Sequence, residues 1–341
     1  MKKLLIMVAA GLLFGSCTKN EVLNYVEPGQ ESMLYLSLAP DSGTKATGDG
    51  HGNQVEDNKI QTLEIFVFRM NEGKEDDGLL DGYRKFTAAE LTSLTNLEVQ
   101  TTTGRKMIYA VANSHKENWK GINSRALFEE EKALLQNDDV RNFIMVGNTE
   151  AYLQLASSIS MSVTRLVARV KVNSVKTSFT GGPYEGMALT DVKAYLTNVQ
   201  ASKFICNGLG DNFAILNNTK YVEADVQGCK MTGMISDDIA AEVDDSGHSD
   251  PHYFYCYENS LQRETGENKF TRLVIEGKLN GTTYYYPIPI KGVTRNNSYS
   301  VDVTIKRPGS LDPNTDVEKG TMAVTMAVKD WNIIGNSNVE F

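Results

Sequence analysis

One thiol in this chain stands where it could carry a lipid. Lys2 and Lys3 make a basic start, Leu4 to Phe14 form an apolar run of eleven residues, and Gly15-Ser16 lead directly to Cys17. Spanning a bilayer core as a helix takes about 20 apolar residues, so a run this short reads as a signal peptide. The small pair before the cysteine gives a bacterial lipoprotein signal peptidase room to reach the scissile bond. The thiol can carry a diacylglycerol. Leu is the usual residue three places before such a cysteine; here Phe14 stands there, with Leu13 one further back. Cys17 is therefore expected to be the first mature residue, acylated as in palmitate-bearing lipoproteins and held in a membrane leaflet. An ordinary secretory signal with an incidental cysteine is the competing reading.

Other residues with chemical potential lead less far. Lys45-Ala46 lies in a polar stretch, Asp41 to Asn58, that contains Gly43, Gly48, Gly50 and Gly52. Proteolytic nicking concentrates in loops of this composition, although Lys45 also reads as an ordinary solvated lysine. Cys206, Cys229 and Cys256 remain after Cys17. An odd count permits at most one internal bridge, and three buried thiols fit equally well. The sequence contains no GxSxG, HExxH, CxxC, Walker loop or GxGxxG. His248 and His252 are four apart, but Pro251 and the Asp, Ser and Gly around them read as a loop rather than a helix presenting two metal ligands. Asp237-Asp238 is expected to start a short helix, where carboxylates meet the positive dipole end. The remaining acidic clusters, Glu75 to Asp77 and Glu129 to Glu131, read as solvated faces. Nothing asks for an enzyme, a cofactor or a metal. A net charge of −9 and a pI near 5.1, with no basic stripe, argue against nucleic acid as a partner.

These residues need a scaffold, and the sequence reads as mainly β. Hydrophobic content of 41% is enough for real cores, and the length suggests two units of about 150 residues each. Ser32 to Ala39 alternates, with Leu34, Leu36 and Leu38 on one face and Tyr35 and Ser37 on the other. Pro40 stops it. Strands are further expected over Ile60–Met70, Lys106–Ala112, Met161–Val172 and Thr190–Val199, then over Arg272–Lys278, Thr282–Ile290, Tyr299–Lys306 and Met322–Val328. Two helices are expected: Ala88–Leu94 with Thr87 as N-cap, and Ser124–Gln136 with Leu127 and Phe128 repeated by Leu134 and Leu135. Short strands with frequent turns point to β-sandwiches rather than βαβ units. Gly181-Gly182-Pro183, after a strand ending near Val175, is the best boundary. The expected division is a signal (1–16), a tether (17–30), an N-terminal sandwich (31–176, with its first strand and loop at 31–45) and a C-terminal sandwich (177–341).

Several segments, in order, resemble a known family. They are the lipoprotein signal, the early strand, the polar loop with a basic residue before Ala46, and LEIFVF (Leu63–Phe68). IYAVANSH (Ile108–His115), TRLVARVKV (Thr164–Val172), FYCYEN (Phe254–Asn259), VTRNNSYSVDVTI (Val293–Ile305) and VKDWN (Val328–Asn332) follow. Together these are similar to the fimbrillins, the type V pilins of the Bacteroidota. The resemblance implies two transthyretin-like β-sandwiches in tandem. It also implies a route: a lipidated precursor reaches the outer membrane, and a trypsin-like protease cuts the loop after the first strand. A strand from the C-terminal region of a neighbouring fimbrial subunit then fills the groove. Cys17 matches the lipidated cysteine and Lys45 the basic cleavage residue, where family members often carry Arg.

The physical logic can be followed in the residues. Loss of Ser32–Ala39 is expected to open a hydrophobic groove with unpaired backbone groups, which templates strand addition. The C-terminus offers two donors. Met322, Val324, Met326 and Val328 alternate with small residues, and Asn332–Phe341 carries Ile333, Ile334, Val339 and Phe341 as anchors. The first of these equally reads as the last core strand of its own unit. Tyr284 and Tyr286 share one strand face, which usually means packing. Trp331 reads as a core residue before a sugar-stacking one. The expectation is a fimbrial structural subunit polymerised by donor-strand exchange and supporting adhesion. A monomeric surface lipoprotein that binds glycans or host ligands is the alternative, and a hydrolase, which needs convergent carboxylates, is the third.

Overall fold

The computed structural model describes residues 26–38, 59–200, 202–206, 215–216, 234–265, 268–318 and 320–330. Cys17, Lys45, Ala46, Cys229, Trp331 and the segment 332–341 lie outside them. The chain is mainly β. Its first strands are β1 (Glu31–Leu38), β2 (Thr62–Arg69), β3 (Leu80–Thr87), β4 (Leu97–Thr102) and β5 (Gly104–Ala112). Helix α1 (Arg125–Glu129), β6 (Lys132–Leu134), β7 (Met145–Leu153), β8 (Ala156–Met161) and β9 (Thr164–Arg165) follow. Next come β10 (Val167–Thr177), β11 (Leu189–Thr197), β12 (Val199–Gln200), β13 (Ser202–Phe204) and β14 (Ile215–Leu216). The last are β15 (Ser236–Val243), β16 (His252–Tyr257), β17 (Thr271–Leu279), β18 (Thr282–Ile290), β19 (Asn297–Ile305) and β20 (Met322–Asp330).

Two sandwiches follow one another. In the first, a sheet of order β4-β1-β8 faces a sheet of order β3-β2-β5-β7-β9. Between them lie Leu34, Leu36, Leu63, Ile65, Val67, Val99, Ile108 and their neighbours. In the second, β16-β10-β19-β20 faces β15-β11-β17-β18 across a larger core. β2 is buried along nearly its whole length because its sheet is covered on both faces. Leu63, Ile65 and Val67 point into the first core. Phe66 and Phe68 point the other way onto Phe128, with ring centroids 4.4 and 5.4 Å away.

Several expectations are corrected, each by a tertiary contact that outweighs local preference. Met161–Val172 is not one strand. Its hydrophobic run is divided between sheets, with β8 and β9 in the first sandwich and β10 paired to β16 and β19 in the second. β10, expected to close the first unit, therefore runs in the second, and Gly181-Gly182-Pro183 falls between two of its strands. The helix expected over Ser124–Gln136 shrinks to the five residues of α1, capped by the Ser124 hydroxyl accepting from the Leu127 N–H. Beyond it Lys132–Leu134 pairs with Ser202–Phe204, which draws the chain out of helix. Ala88–Leu94 makes a single turn. Glu90 accepts from both the N–H and the hydroxyl of Thr87, a capping box without enough residues to propagate. Asp237-Asp238 lies in β15, paired to β11, and starts no helix.

The quoted motifs meet where the two sandwiches join. Arg295 donates to the carbonyls of Val146 and Thr164 at 3.3 and 3.1 Å, and Arg165 donates to Asn296 Oδ1 at 3.0 Å. Tyr257 donates to the buried Asp138 at 3.3 Å, and the rings of Phe143 and Tyr255 pack 4.8 Å apart. TRLVARVKV, FYCYEN and VTRNNSYSVDVTI thus carry the junction of the fold.

Candidate functional site, the slot of the first strand

β1 is an alternating strand held on both sides. It runs antiparallel to β4, from Glu31 opposite Thr102 to Leu36 opposite Leu97. On its other side it runs parallel to β8, from Met33 opposite Ala156 to Leu38 opposite Met161. Neither β4 nor β8 has another ladder partner in that sheet. Leu34 and Leu36 are 0% exposed and Leu38 is 3% exposed, all in the first core. Burying each leucine contributes roughly 1.5–3 kcal/mol before the entropy of ordering the strand. Without β1, the two rims would face each other across an apolar slot, each with a row of unpaired N–H and C=O groups.

Both ends of the slot are tied. Upstream, Gly29 N–H donates to the Thr103 carbonyl and Thr103 N–H to the Gln30 carbonyl, at 3.1 and 2.8 Å. The Thr103 hydroxyl donates to the Glu27 carbonyl at 2.5 Å, and Tyr152 OH to that of Val26 at 2.9 Å. Downstream, the chain enters β2 through Asn113, which sits at positive φ at the end of β5. Asn113 Oδ1 accepts from Gln61 N–H at 2.8 Å, while Nδ2 donates to the carbonyls of Lys59 and Phe143 at 2.7 and 3.1 Å. The described chain is therefore anchored on both sides of residues 39–58, the segment that contains Lys45. Asn113 was legible only as part of IYAVANSH; its clamping role was not.

β20 differs from β1. It is the edge of its sheet, paired along its length to β19 alone. Met322, Val324 and Met326 are half-buried against the second core, and Val328 is 52% exposed. Its alternation is the expected one, but its large side chains are far less enclosed than the leucines of β1.

The remaining sequence candidates settle into structure. His252 belongs to β16, not to a loop. Its Nε2 lies 3.1 Å from His248 Nε2, and its Nδ1 lies 2.7 Å from Asp237 Oδ2. No group of three or more potential metal ligands occurs among the described residues. A groove of about 550 Å³ on the β15-β11-β17-β18 sheet holds three carboxylates. Each is engaged: Asp191 by Lys278 at 2.8 Å, Asp238 by Lys193 at 3.5 Å and Glu276 by the Tyr195 hydroxyl at 3.1 Å. Tyr286 is buried and Tyr284 packs beside it on the core, so the tyrosine run serves packing. Cys206 and Cys256 are free, buried thiols. Burial raises the Cys206 pKa and pushes that of Cys256 up to about 12, so both are inert near neutral pH. No helix among the described residues is long and apolar enough to cross a membrane.

Comparison with known proteins agrees with this layout. Residues 34–202 match the family described as major fimbrial subunit protein (FimA). No curated protein matches. A solved candidate cell adhesion protein from Bacteroides eggerthii DSM 20697 is 19% identical with a TM-score of 0.63, covering 89% of this chain and 97% of its own. A fimbrilin (FimA) from Porphyromonas gingivalis W83 is 16% identical, also at TM-score 0.63, covering 89% of this chain and 99% of its own. A candidate cell adhesion protein from Parabacteroides distasonis ATCC 8503 is 14% identical at the same TM-score, covering 91% of this chain and 99% of its own. Identities this low speak for a shared fold along the whole length. The match begins inside β1 and runs through TRLVARVKV, and it carries the family: residues 34–202 of this chain belong to the major fimbrial subunit (FimA) family, the fimbrillins.

Proposed function

We propose that this protein is a structural subunit of cell-surface fimbriae, made as a lipidated precursor and polymerised by protease-triggered donor-strand exchange. Cys17 carries the lipid and holds the precursor at the outer membrane. A trypsin-like protease cuts between Lys45 and Ala46, β1 leaves with its loop, and a strand from another fimbrial subunit enters the slot. The product is an extracellular fimbrium that supports adhesion. Met322, Val324, Met326 and Val328 form one candidate donor; residues 332–341 form the other. The chain divides into two folding units at Leu166, where the strands change sheets.

The observation that carries this reading is the place of β1. An ordinary first strand lies at an edge or in a hairpin with its neighbour. This one fills the centre of a three-stranded sheet, and 23 residues separate it from β2 (Leu38 to Thr62). It can therefore be exchanged without unthreading the rest of the chain.

The experiment is limited trypsin digestion of the non-lipidated mature chain, with N-terminal sequencing and native mass measurement. A single cut after Lys45, release of the leading strand and growth of oligomers are expected. Lys45→Ala is expected to fold normally and stay monomeric under the same treatment. A resistant loop, or a cut that leaves a stable monomer, would count for the monomeric ligand-binding lipoprotein.

A further inference from the structure

The two rims of the slot are not equally secured. β4 carries Thr101 and Thr102, which stand opposite Ser32 and Glu31 of β1. Both are tied to Asp81 of β3, in the facing sheet. The Thr101 hydroxyl donates to Asp81 Oδ2 at 2.6 Å and Thr102 N–H to the same oxygen at 2.8 Å. The Thr102 hydroxyl lies 2.9 and 2.8 Å from the two carboxylate oxygens. Arg69 of β2 donates to Oδ1 at 2.8 Å, and Lys106 of β5 lies 2.9 Å from Oδ2. Lys106 also donates to the Thr102 hydroxyl at 2.9 Å. One carboxylate thus joins four strands across the sandwich, with its side chain 1% exposed.

This cluster is built as a unit. Burial alone would raise the Asp81 pKa; bonds from Thr101, Lys106, Arg69 and the Thr102 N–H outweigh it and hold the carboxyl far below the usual range. Two opposite charges flank the carboxylate, which is the condition under which buried charge is tolerated. Gly82 allows the close approach. A Cβ there would lie 2.5 Å from the Gln100 carbonyl oxygen, on the residue before Thr101. Among the described residues, β8 has no buried charge tying it to the facing sheet, and most of its side chains are at least partly exposed.

We propose that Asp81, with Arg69, Lys106, Thr101 and Thr102, is a positioning staple that keeps β4 in place while the slot is empty. It offers an incoming strand a preformed rim. The inference rests on the strand-exchange reading. With β1 present, β4 is held by its ladder and by the staple together. With β1 gone, the ladder is lost and β4 is left with the staple, the bond from Arg84 to the Glu98 carbonyl at 2.8 Å and the packing of Leu97 and Val99, so removal of the staple weighs most on the empty state. An unstapled β4 must be ordered again at each capture, which lowers the rate of capture. β8, held once β1 leaves by packing, chain connection and one local bond from Gln154 N–H to the Ser157 hydroxyl, closes afterwards as the second rim.

The test uses the full mature chain cut after Lys45, with a fluorescent peptide of the sequence Glu31–Leu38 as the probe strand. The rate of peptide capture is followed by anisotropy, and exchange of the Thr101 and Thr102 amides by mass spectrometry. Asp81→Asn is expected to slow capture by tenfold or more and to speed amide exchange in the empty state by a similar factor. Because Asp81→Asn leaves the buried Lys106 without its carboxylate and Arg69 with Asp76 alone, Thr102→Val serves as the second variant; it keeps both ion pairs to Asp81 and loses only the hydroxyl's bonds. It is expected to slow capture about threefold with the uncut chain still folded. Capture by either folded variant at the wild-type rate would overturn the staple and leave strand exchange standing. Failure of the wild-type cut chain to capture the peptide at all would overturn both.

Discussion

Leu36→Ala in the uncut chain tests whether the slot is held by burial on one face of β1. Leu36 is 0% exposed and shares the first core with Leu63, Ile65, Val67 and Val99. Truncating a fully enclosed leucine removes its transfer energy and leaves a cavity, a loss of about 3 kcal/mol within the usual 2–5. Ser37, next along the strand, points the other way and is only half-buried. Its hydroxyl accepts one long bond, 3.3 Å, from Asn96 N–H, so Ser37→Ala should cost at most about 1 kcal/mol. At about 1.4 kcal/mol per tenfold, Leu36→Ala raises the population with β1 detached roughly 150-fold. Urea unfolding of both variants gives the stability difference, and native-state proteolysis gives the opening equilibrium when reclosure outpaces cleavage. Equal losses in the two variants, or a loss below about 1 kcal/mol for Leu36→Ala, would refute burial as the restraint on β1.

Two further outcomes concern the joint between the sandwiches. Arg295→Met keeps the apolar stem but removes the charged donor to Val146 and Thr164, and should cost about 2–3 kcal/mol by urea unfolding. Asp138→Asn should change the pH dependence in a defined direction. Burial, only partly opposed by His115 and two backbone N–H groups, raises the Asp138 pKa above its unfolded value of 3.8. Its contribution is therefore fully present below the unfolded value and is lost as pH rises through the folded one. Relative to wild type, the Asn variant should gain stability across that window and level off above it; a difference that stays flat with pH would refute the assignment.

The sequence made β1 and its three leucines legible because alternation is a local property. β18 was readable to the residue, from Thr282 to Ile290, and β17, β19 and β20 nearly so, for the same reason. Strand order was not legible. That β1 lies between β4 and β8, and runs parallel to one of them, depends on contacts more than 60 residues apart in sequence, from Glu31 to Thr102. The rims themselves gave weak signals. LEVQTT is polar at alternate positions and ASSISM is short and mostly small, so neither reads as a strand alone. Asp81 was invisible because a single Asp between Leu80 and Gly82 looks like a turn; only the fold brings Arg69, Lys106 and two threonines to it. Ser124–Gln136 failed for the opposite reason, a good helical period overruled by pairing with a strand some 70 residues away.

The double-sided seat of β1 also has a mechanical meaning. Backbone bonds lie roughly perpendicular to an antiparallel pair and slanted across a parallel one. A pull along the axis of a strand in this seat therefore stretches two ladders together, six residue pairs against β4 and six against β8. They must fail in shear, nearly all at once. β20, bonded along one side only, can be peeled from an end with one pair breaking at a time. A segment that leaves home by peeling and is then gripped from both sides loosens under little force and holds under much. Links joined in this way would give a thread that is easy to assemble and hard to break.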